Sequence, residues 1–394
     1  MRSKIVLMTG GTETLDFFSR QMQNTFVQAG YKILLFDQRY EEESAQKLAS
    51  FAGISDTVLI TFNFEGLQMS PCLYDPLNRL FWDSHDVICI NIAVDHPFYY
   101  PEVIEIHPNR FYQVSIDRLH RAYLKKYYPQ IHSDLFLPLA GTSLYPDGSY
   151  PSFEDRTYDV VFTGNFTPKE EFDQYIDRLG EEYAVFYRSM LTELIQNPQL
   201  ADDAVMETHL RREFPDASNE EIRKTIANMI FIDAYIRFYF REKIIKTLVD
   251  HKINVHCVGK GWNRLQCKHP EYLTFEEGQL SKGCLERIAN AKISLNIMPW
   301  FKDGAHDRVF NSMANGAVCV TDTNRYLCCE LTDRENVIFY DLSNIEALPD
   351  LVNSILQNPK RAKKIARNAY TLTMRKHTWA NRANDLLRFI HTLS

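Results

Sequence analysis

Short apolar runs separated by amphipathic stretches set the rhythm of the first third of the chain. Ile5–Met8, Lys32–Phe36, Thr57–Ile60, Val87–Ile92 and Phe111–Val114 are near-continuous in apolar residues, as strands buried on both faces of a parallel sheet are. Gly10-Gly11 follows the first run and precedes an amphipathic stretch from Leu15 to Ala29. Strand, turn and helix in that order read as a doubly wound α/β unit. Pro138 to Pro151, rich in Pro, Gly and Ser, reads as the boundary of this first domain, set at residue 150. A second α/β unit opens with Tyr158-Asp159-Val160-Val161-Phe162-Thr163-Gly164-Asn165. Its next strand is expected only at Ile253–Val258, so about 165–250 reads as a helical insertion, its last helix running from about Asn219 to Asp250. Strands resume at Ile293–Ile297, Val318–Thr321 and Val337–Tyr340. Two closing helices follow, about Ile345–Leu356 and Pro359–Leu393, with the segment 376–394 expected to pack back on the first domain. The fold class predicted is α/β: two Rossmann-like domains, 1–150 and 151–375, facing across a cleft.

Composition narrows the classes of function. A chain of 394 residues with 45% hydrophobic and 24% charged residues is ordinary globular material, long enough for two domains. The net charge of −7 and pI near 6.0 argue against nucleic-acid binding, which normally needs a basic footprint. A phosphate-bearing ligand must therefore be held by a local cluster of donors. None of the eight cysteines forms a C-x-x-C pair, and Cys89, Cys257 and Cys319 lie in apolar runs. A reducing compartment follows. The apolar run at the N-terminus is too short for a secretory signal, and no stretch is long enough to span a bilayer, so a cytoplasmic location is expected.

The most informative segment is Ile293 to Asn324: strand, loop Met298–His306, helix Asp307–Asn315, Gly316, strand. Asp303-Gly304-Ala305-His306 delivers the chain to a helix N-terminus, where unpaired N–H groups and the helix dipole favour an anion. Arg308 sits in the first turn, the wrong end for a cation. A bound diphosphate accounts for it; so does a pairing with a nearby carboxylate. Asp233, Arg237 and Arg241 recur at i, i+4 and i+8 on one helix face, so Arg241 is a second candidate for the anion, while Asp233–Arg237 also reads as an intrahelical ion pair. Lys260, between two glycines after a strand, is a third.

Residues 305–317, Ala-His-Asp-Arg-Val-Phe-Asn-Ser-Met-Ala-Asn-Gly-Ala, resemble the "RVFEAMA-x-G" signature of bacterial glycosyltransferases related to spore maturation protein B (CgeB-like), relatives of the large retaining GT-B group. Val160–Asn165, the Val258-Gly259-Lys260-Gly261-Trp262 strand end, Leu295-Asn296-Ile297 and His377-Thr378-Trp379 with Arg382 resemble further motifs of that family in the same order. The resemblance spans about 155–390. It implies transfer of a sugar from a nucleoside-diphosphate sugar to a glycan, protein or small-molecule acceptor, with retention of configuration and no metal or other cofactor. With it, Asp303 and His306 join Arg308 as candidate catalytic residues, and Gly164, Asn165, Arg241, Lys260, Gly304, Ala305 and Asn311 are the candidate donor contacts. Asp303 and Asn311 stand where the family has two carboxylates, so Asn311 keeps hydrogen-bonding capacity and loses the charge.

For the acceptor side, Asn91 to Pro97 ends a buried strand with Asp95-His96, and Thr61-Phe62-Asn63 ends the strand before it. A general base would stand at such strand ends; a cap on the turn before Pro97 explains His96 equally well. No D-x-D-type pair offers a metal site, and Asp202-Asp203 and Glu276-Glu277 read as solvated surface. A nucleotide-sugar epimerase and a non-catalytic nucleotide-sugar-binding protein are the alternatives. A nicotinamide oxidoreductase would need the G-x-G-x-x-G fingerprint that Gly10-Gly11 does not supply.

Overall fold

A computed structural model describes residues 2–67 and 70–393. The chain divides into two compact units, residues 1–139 with 378–394, and residues 140–377.

The first unit holds a parallel sheet of β1 (Lys4–Thr9), β2 (Lys32–Asp37), β3 (Thr57–Phe62), β4 (Ile88–Ala93) and β5 (Phe111–Ser115), in the order β2-β1-β3-β4-β5. Every residue of β3 and β4 is buried, which is why these strands read as unbroken apolar runs. The order reverses between β1 and β3, which places the unit's switch point at Gly10–Thr12 and Asn63–Glu65. The C-terminal helix Trp379–Thr392 packs on Glu13–Gln28, with Trp379 4.5 Å from Phe18 and 6.0 Å from Phe62 between ring centroids. Arg382, nearly buried, donates from Nε to the Pro138 carbonyl at 2.6 Å.

The second unit has six parallel strands: β6 (Tyr158–Thr163), β7 (Val255–Val258), β8 (Leu273–Glu276), β9 (Ala291–Asn296), β10 (Val318–Asp322) and β11 (Ile338–Tyr340). Their order, β11-β10-β9-β6-β7-β8, reverses between β6 and β9 in the manner of a dinucleotide-binding fold. The C-terminal ends of those two strands are where a ligand of such a sheet sits.

Several expectations are corrected. The boundary falls at Leu139/Ala140 rather than at 150, because the intervening residues bond into the second unit. Gly141 N donates to His377 O, Thr142 N to Asn311 Oδ1 and Leu144 N to Asn315 Oδ1. Arg156, 4% exposed, ties the same segment down through the carbonyls of Pro151, Ala291 and Asn315. The second boundary falls at His377/Thr378 instead of 375/376, where Thr378 and Asn381 form a capping box that starts a new helix. Pro359–Leu393 is therefore two helices, Pro359–Lys376 and Trp379–Thr392. The helix expected from Asn219 to Asp250 is likewise two, Asn219–Ala227 and Ile230–Asp250, broken where Asn228 caps the first. β8 was not anticipated, since a four-residue edge strand with exposed Thr274 and Phe275 carries no apolar pattern. All eight cysteines are free, and among the described residues no helix is long and apolar enough to cross a membrane.

Candidate active site

At the end of β6 the chain turns through Thr163-Gly164-Asn165 against the end of β7. Gly164 N donates to Val258 O at 2.8 Å, Phe166 N to Lys260 O at 2.9 Å, Lys260 N to Asn165 Oδ1 at 3.0 Å, and Trp262 Nε1 to Gly164 O at 2.8 Å. These bonds fix the carbonyls of residues 163 and 165, and two arginines bind them. Arg308 Nη1 donates to Thr163 O at 2.6 Å and Arg241 Nη1 to Asn165 O at 2.7 Å. Both side chains are more than nine-tenths buried.

Arg237, one turn before Arg241, pairs with Asp233 at 2.8 Å and lies over the Trp300 ring, 4.1 Å from its centroid. Arg241 is 5.5 Å from the same centroid. Burial is the main cause that pushes Arg308 down to about 10, and proximity to Arg237 adds to it. Burial, then Arg308 and Arg237, hold Arg241 well below the ordinary arginine value. Three guanidiniums thus crowd together, each disfavouring its neighbours' charge. Arg308 Nη2 and Arg241 Nε are buried and have no hydrogen-bond partner. Unsatisfied buried donors on clustered cations are able to bind an anion.

His306 stands at the N-cap of the helix Asp307–Ala314. Its Nδ1 lies 2.5 Å from Asp307 Oδ1 and also faces the helix's first turn. Arg308 N and Nε both donate to the same nitrogen at 3.3 Å, the usual N-cap arrangement. Burial, helped by Arg308, pushes His306 down to about 4, so the imidazole is neutral at pH 7. Burial opposes ionisation of Asp307, but His306 and Arg308 outweigh it and hold that carboxyl low.

His306 therefore makes a checkable contribution to stability. Its folded value lies below the unfolded value of about 6.5, so the unfolded chain binds more protons between the two. Stability should be complete above pH 6.5 and fall by about 2–3 kcal/mol as the pH drops towards 4. Melts of wild type and His306→Asn across that window check it, the variant being expected to lose less.

The remaining expected residues are placed unevenly. Asp303 is buried, with Arg325 Nε 3.9 Å from Oδ2. Gly304 and Ala305 are buried behind it, and the Gly304 carbonyl accepts from Asn324 Nδ2 at 2.8 Å, so neither offers a free surface. Asn311 is engaged at both ends, accepting from Thr142 N at 2.9 Å and donating to Asp307 Oδ2 at 2.8 Å. It is a strut between the helix and the segment after residue 140. Asn165 and Lys260 are exposed beside the Gly164 turn. Trp300, the platform under Arg237, was missed: its only signal is a place just past β9, and stacking is not visible in a sequence. Asp202, read as surface, is 7% exposed. Glu276 ends β8 and pairs with Arg287 at 2.7 Å.

In the first unit, Asn63 and Asp95 do come together, Asn63 Nδ2 donating to Asp95 Oδ2 at 3.0 Å and Tyr100 OH to the same oxygen at 2.9 Å. The turn after β3 carries Asn63 at φ 45° and Phe64 at φ 65°, a left-handed pair unusual for phenylalanine. Asn91 Oδ1 holds it by accepting from Phe64 N at 2.7 Å. His96 takes the capping role: Nδ1 accepts from Phe98 N at 3.2 Å and the ring stacks on Phe98, 4.0 Å away. Burial holds it well below the ordinary histidine value.

Comparison with known proteins bears on this geometry. Residues 240–388, which carry Arg241, Lys260 and the 303–311 segment, match the glycosyl transferase-like family. No curated protein matches the chain. Among solved structures it is similar to an alpha-glucosyltransferase in complex with UDP-glucose and DNA (10% identity, TM-score 0.57, 98% of this chain and 99% of that one). It is similar also to the Anabaena protein HepE in complex with UDP and glucose (8% identity, TM-score 0.52, 99% and 100%). A third is sucrose-phosphate synthase from Thermosynechococcus elongatus (13% identity, TM-score 0.50, 100% and 99%). Fold and family match together define the class: the protein is a glycosyltransferase with the GT-B fold. Its two parallel-sheet α/β units are those of that class.

Proposed function

We propose that the second unit binds a UDP-sugar with its diphosphate on Arg308, Arg241 and Arg237, and that the enzyme transfers the sugar to an acceptor with retention and without a metal ion. The observation that carries this is the pair of buried, unsatisfied guanidine nitrogens on Arg308 and Arg241 at the end of β6. A departing diphosphate develops negative charge, and fixed guanidiniums that need no reorganisation stabilise it in the place a metal would take. UDP accompanies two of the similar structures, which supports uracil as the base. His306, neutral, offers its ring as a hydrogen-bonding partner for a sugar hydroxyl, and Asp303 supplies a carboxylate on the same loop. Gly164 and Asn165 provide the turn on which the arginines rest, and Lys260 an exposed cation beside it.

On the acceptor side the reading rests on Asp95 and Asn63, with His96 shaping the turn. The net charge of −7 supports a glycan, protein or small molecule over nucleic acid. The five motifs between 155 and 390 support the finer relation to the spore maturation protein B group and, with it, a cytoplasmic enzyme.

The test is thermal stabilisation by UDP, GDP, ADP, TDP and CMP, each with and without EDTA. UDP at a hundred times its dissociation constant should add about 2.7 kcal/mol, unchanged by EDTA. No shift with any nucleotide would overturn the donor site. Labelled sugar appearing on a second molecule separates transfer from epimerisation or mere binding.

A further inference from the structure

Asp202 is a buried ionisable group with no part in the donor site as described. Asp202 opens the helix Asp202–Glu213 within the helical insertion, far in sequence from the strands that build the site. It is 7% exposed, and neither carboxylate oxygen has a donor from the chain among the described residues. The group against it is another carboxyl, Asp233, itself 3% exposed. Two carboxyl groups in contact away from water are held together only by a proton between them. Burial first, then Asp233 and Asp203, pushes Asp202 up to about 8, against the opposing pull of Lys302. Lys302 is itself engaged, with Nζ 2.7 Å from the Pro198 carbonyl.

Asp233 is in turn the carboxylate that binds Arg237 Nη2 at 2.8 Å, and Arg237 lies flat over Trp300. A continuous chain of contact therefore runs from Asp202 through Asp233 to the outermost cation of the arginine cluster. We infer that Asp202 is a positioning residue for the donor site: by sharing one proton with Asp233, it fixes the carboxylate that aims Arg237 across Trp300. The inference rests on the reading of the arginine cluster as the diphosphate site. Its content is separate, because an ordinary ion pair between Asp233 and Arg237 would need no second acid behind it.

Among the described residues, the charged groups that bear on Asp202 are Asp203 on the same helix, Asp233 on Ile230–Asp250 and Lys302 on the loop after β9, and Asp233 in turn pairs with Arg237. When the shared proton leaves, a second negative charge appears behind Arg237. It competes with a bound anion for that guanidinium. Asparagine at 202 cannot ionise, yet its amide still donates to Asp233 as the protonated acid does. Asp202→Asn is thus the conservative replacement, and Asp202→Ala removes the donor.

The experiment measures UDP affinity and donor KM between pH 7 and 9.5 on the full chain. Wild type should bind UDP about tenfold more weakly at the alkaline end, as expected for one new charge near the site. Asp202→Asn should change less than twofold over the same range, and Asp203→Asn should keep the wild-type profile. Asp202→Ala should raise donor KM at every pH with kcat within twofold, a split that a general loss of folding would not give. A flat wild-type profile overturns the inference whether or not any variant folds. So does an alkaline loss that Asp202→Asn retains. Absence of UDP binding by wild type at all pH values would instead overturn the donor-site reading, and this one with it.

Discussion

Replacing Arg308 by alanine should lower turnover by on the order of a hundredfold or more, while the second unit stays folded. The guanidinium does two things at once. Nη1 donates to the Thr163 carbonyl, which fixes the side chain at the end of β6, and Nη2 is left buried without a partner. An anion placed there meets a donor that is already oriented and already desolvated. That readiness has a cost, since burial and the nearby Arg237 both disfavour the Arg308 charge. Arg308→Ala removes a buried cation from a repulsive cluster, so the melting temperature without ligand should hold or rise while kcat falls. UDP stabilisation should shrink in the same variant. Arg308→Lys keeps the charge but not the planar fork, and one ammonium cannot both hold Thr163 and face a phosphate in the same way. It should fall between the two. Near-normal turnover in folded Arg308→Ala would remove this residue from the chemistry.

Where that arginine could be read in the sequence, and its surroundings could not, follows from the range of the interactions involved. A cation in the first turn of a helix violates a local rule, and the violation is visible within four residues. The buried parallel strands are equally local, since enclosure on both faces leaves an unbroken apolar run such as Thr57–Phe62. β8 escapes because an edge strand need not be enclosed. Trp300 and Asp202 escape for a different reason. Trp300 gains its meaning from Arg237, which arrives on a helix that ends before β7 begins, and Asp202 from Asp233 in the next-but-one helix. An Asp-Asp pair at a helix start looks like ordinary N-terminal acid placement until its burial is known. Asn311 shows the converse. The position was legible, yet the amide bridges Thr142 and Asp307, a structural duty that no motif match reveals.

The second large effect belongs to a residue that touches no ligand. Gly259 lies between β7 and the turn that carries the arginine-binding carbonyls, at φ 152°. A Cβ there would stand 2.4 Å from the Gly164 oxygen and 3.0 Å from the Asn165 nitrogen, both backbone atoms that cannot swing aside as a side chain could. Gly259→Ala must therefore push residues 164–165 away from β7, against the bonds from Gly164 N to Val258 O and from Trp262 Nε1 to Gly164 O. Arg241 rests on the Asn165 carbonyl and Arg308 on that of Thr163, so both cations move with the turn. Displacements near 1 Å in a positioning group can cost about a hundredfold in rate, and that is the loss expected in kcat/KM. Stability should fall as well, by about 1–3 kcal/mol, because the residue is strained in addition to crowded. Gly278→Ala is the control, since nothing lies within 4 Å of its Cβ and its backbone is not left-handed. If Gly259→Ala matched Gly278→Ala in both melting temperature and kcat/KM, the turn would be free to give, and the fixed carbonyl platform under the two arginines would have to be abandoned.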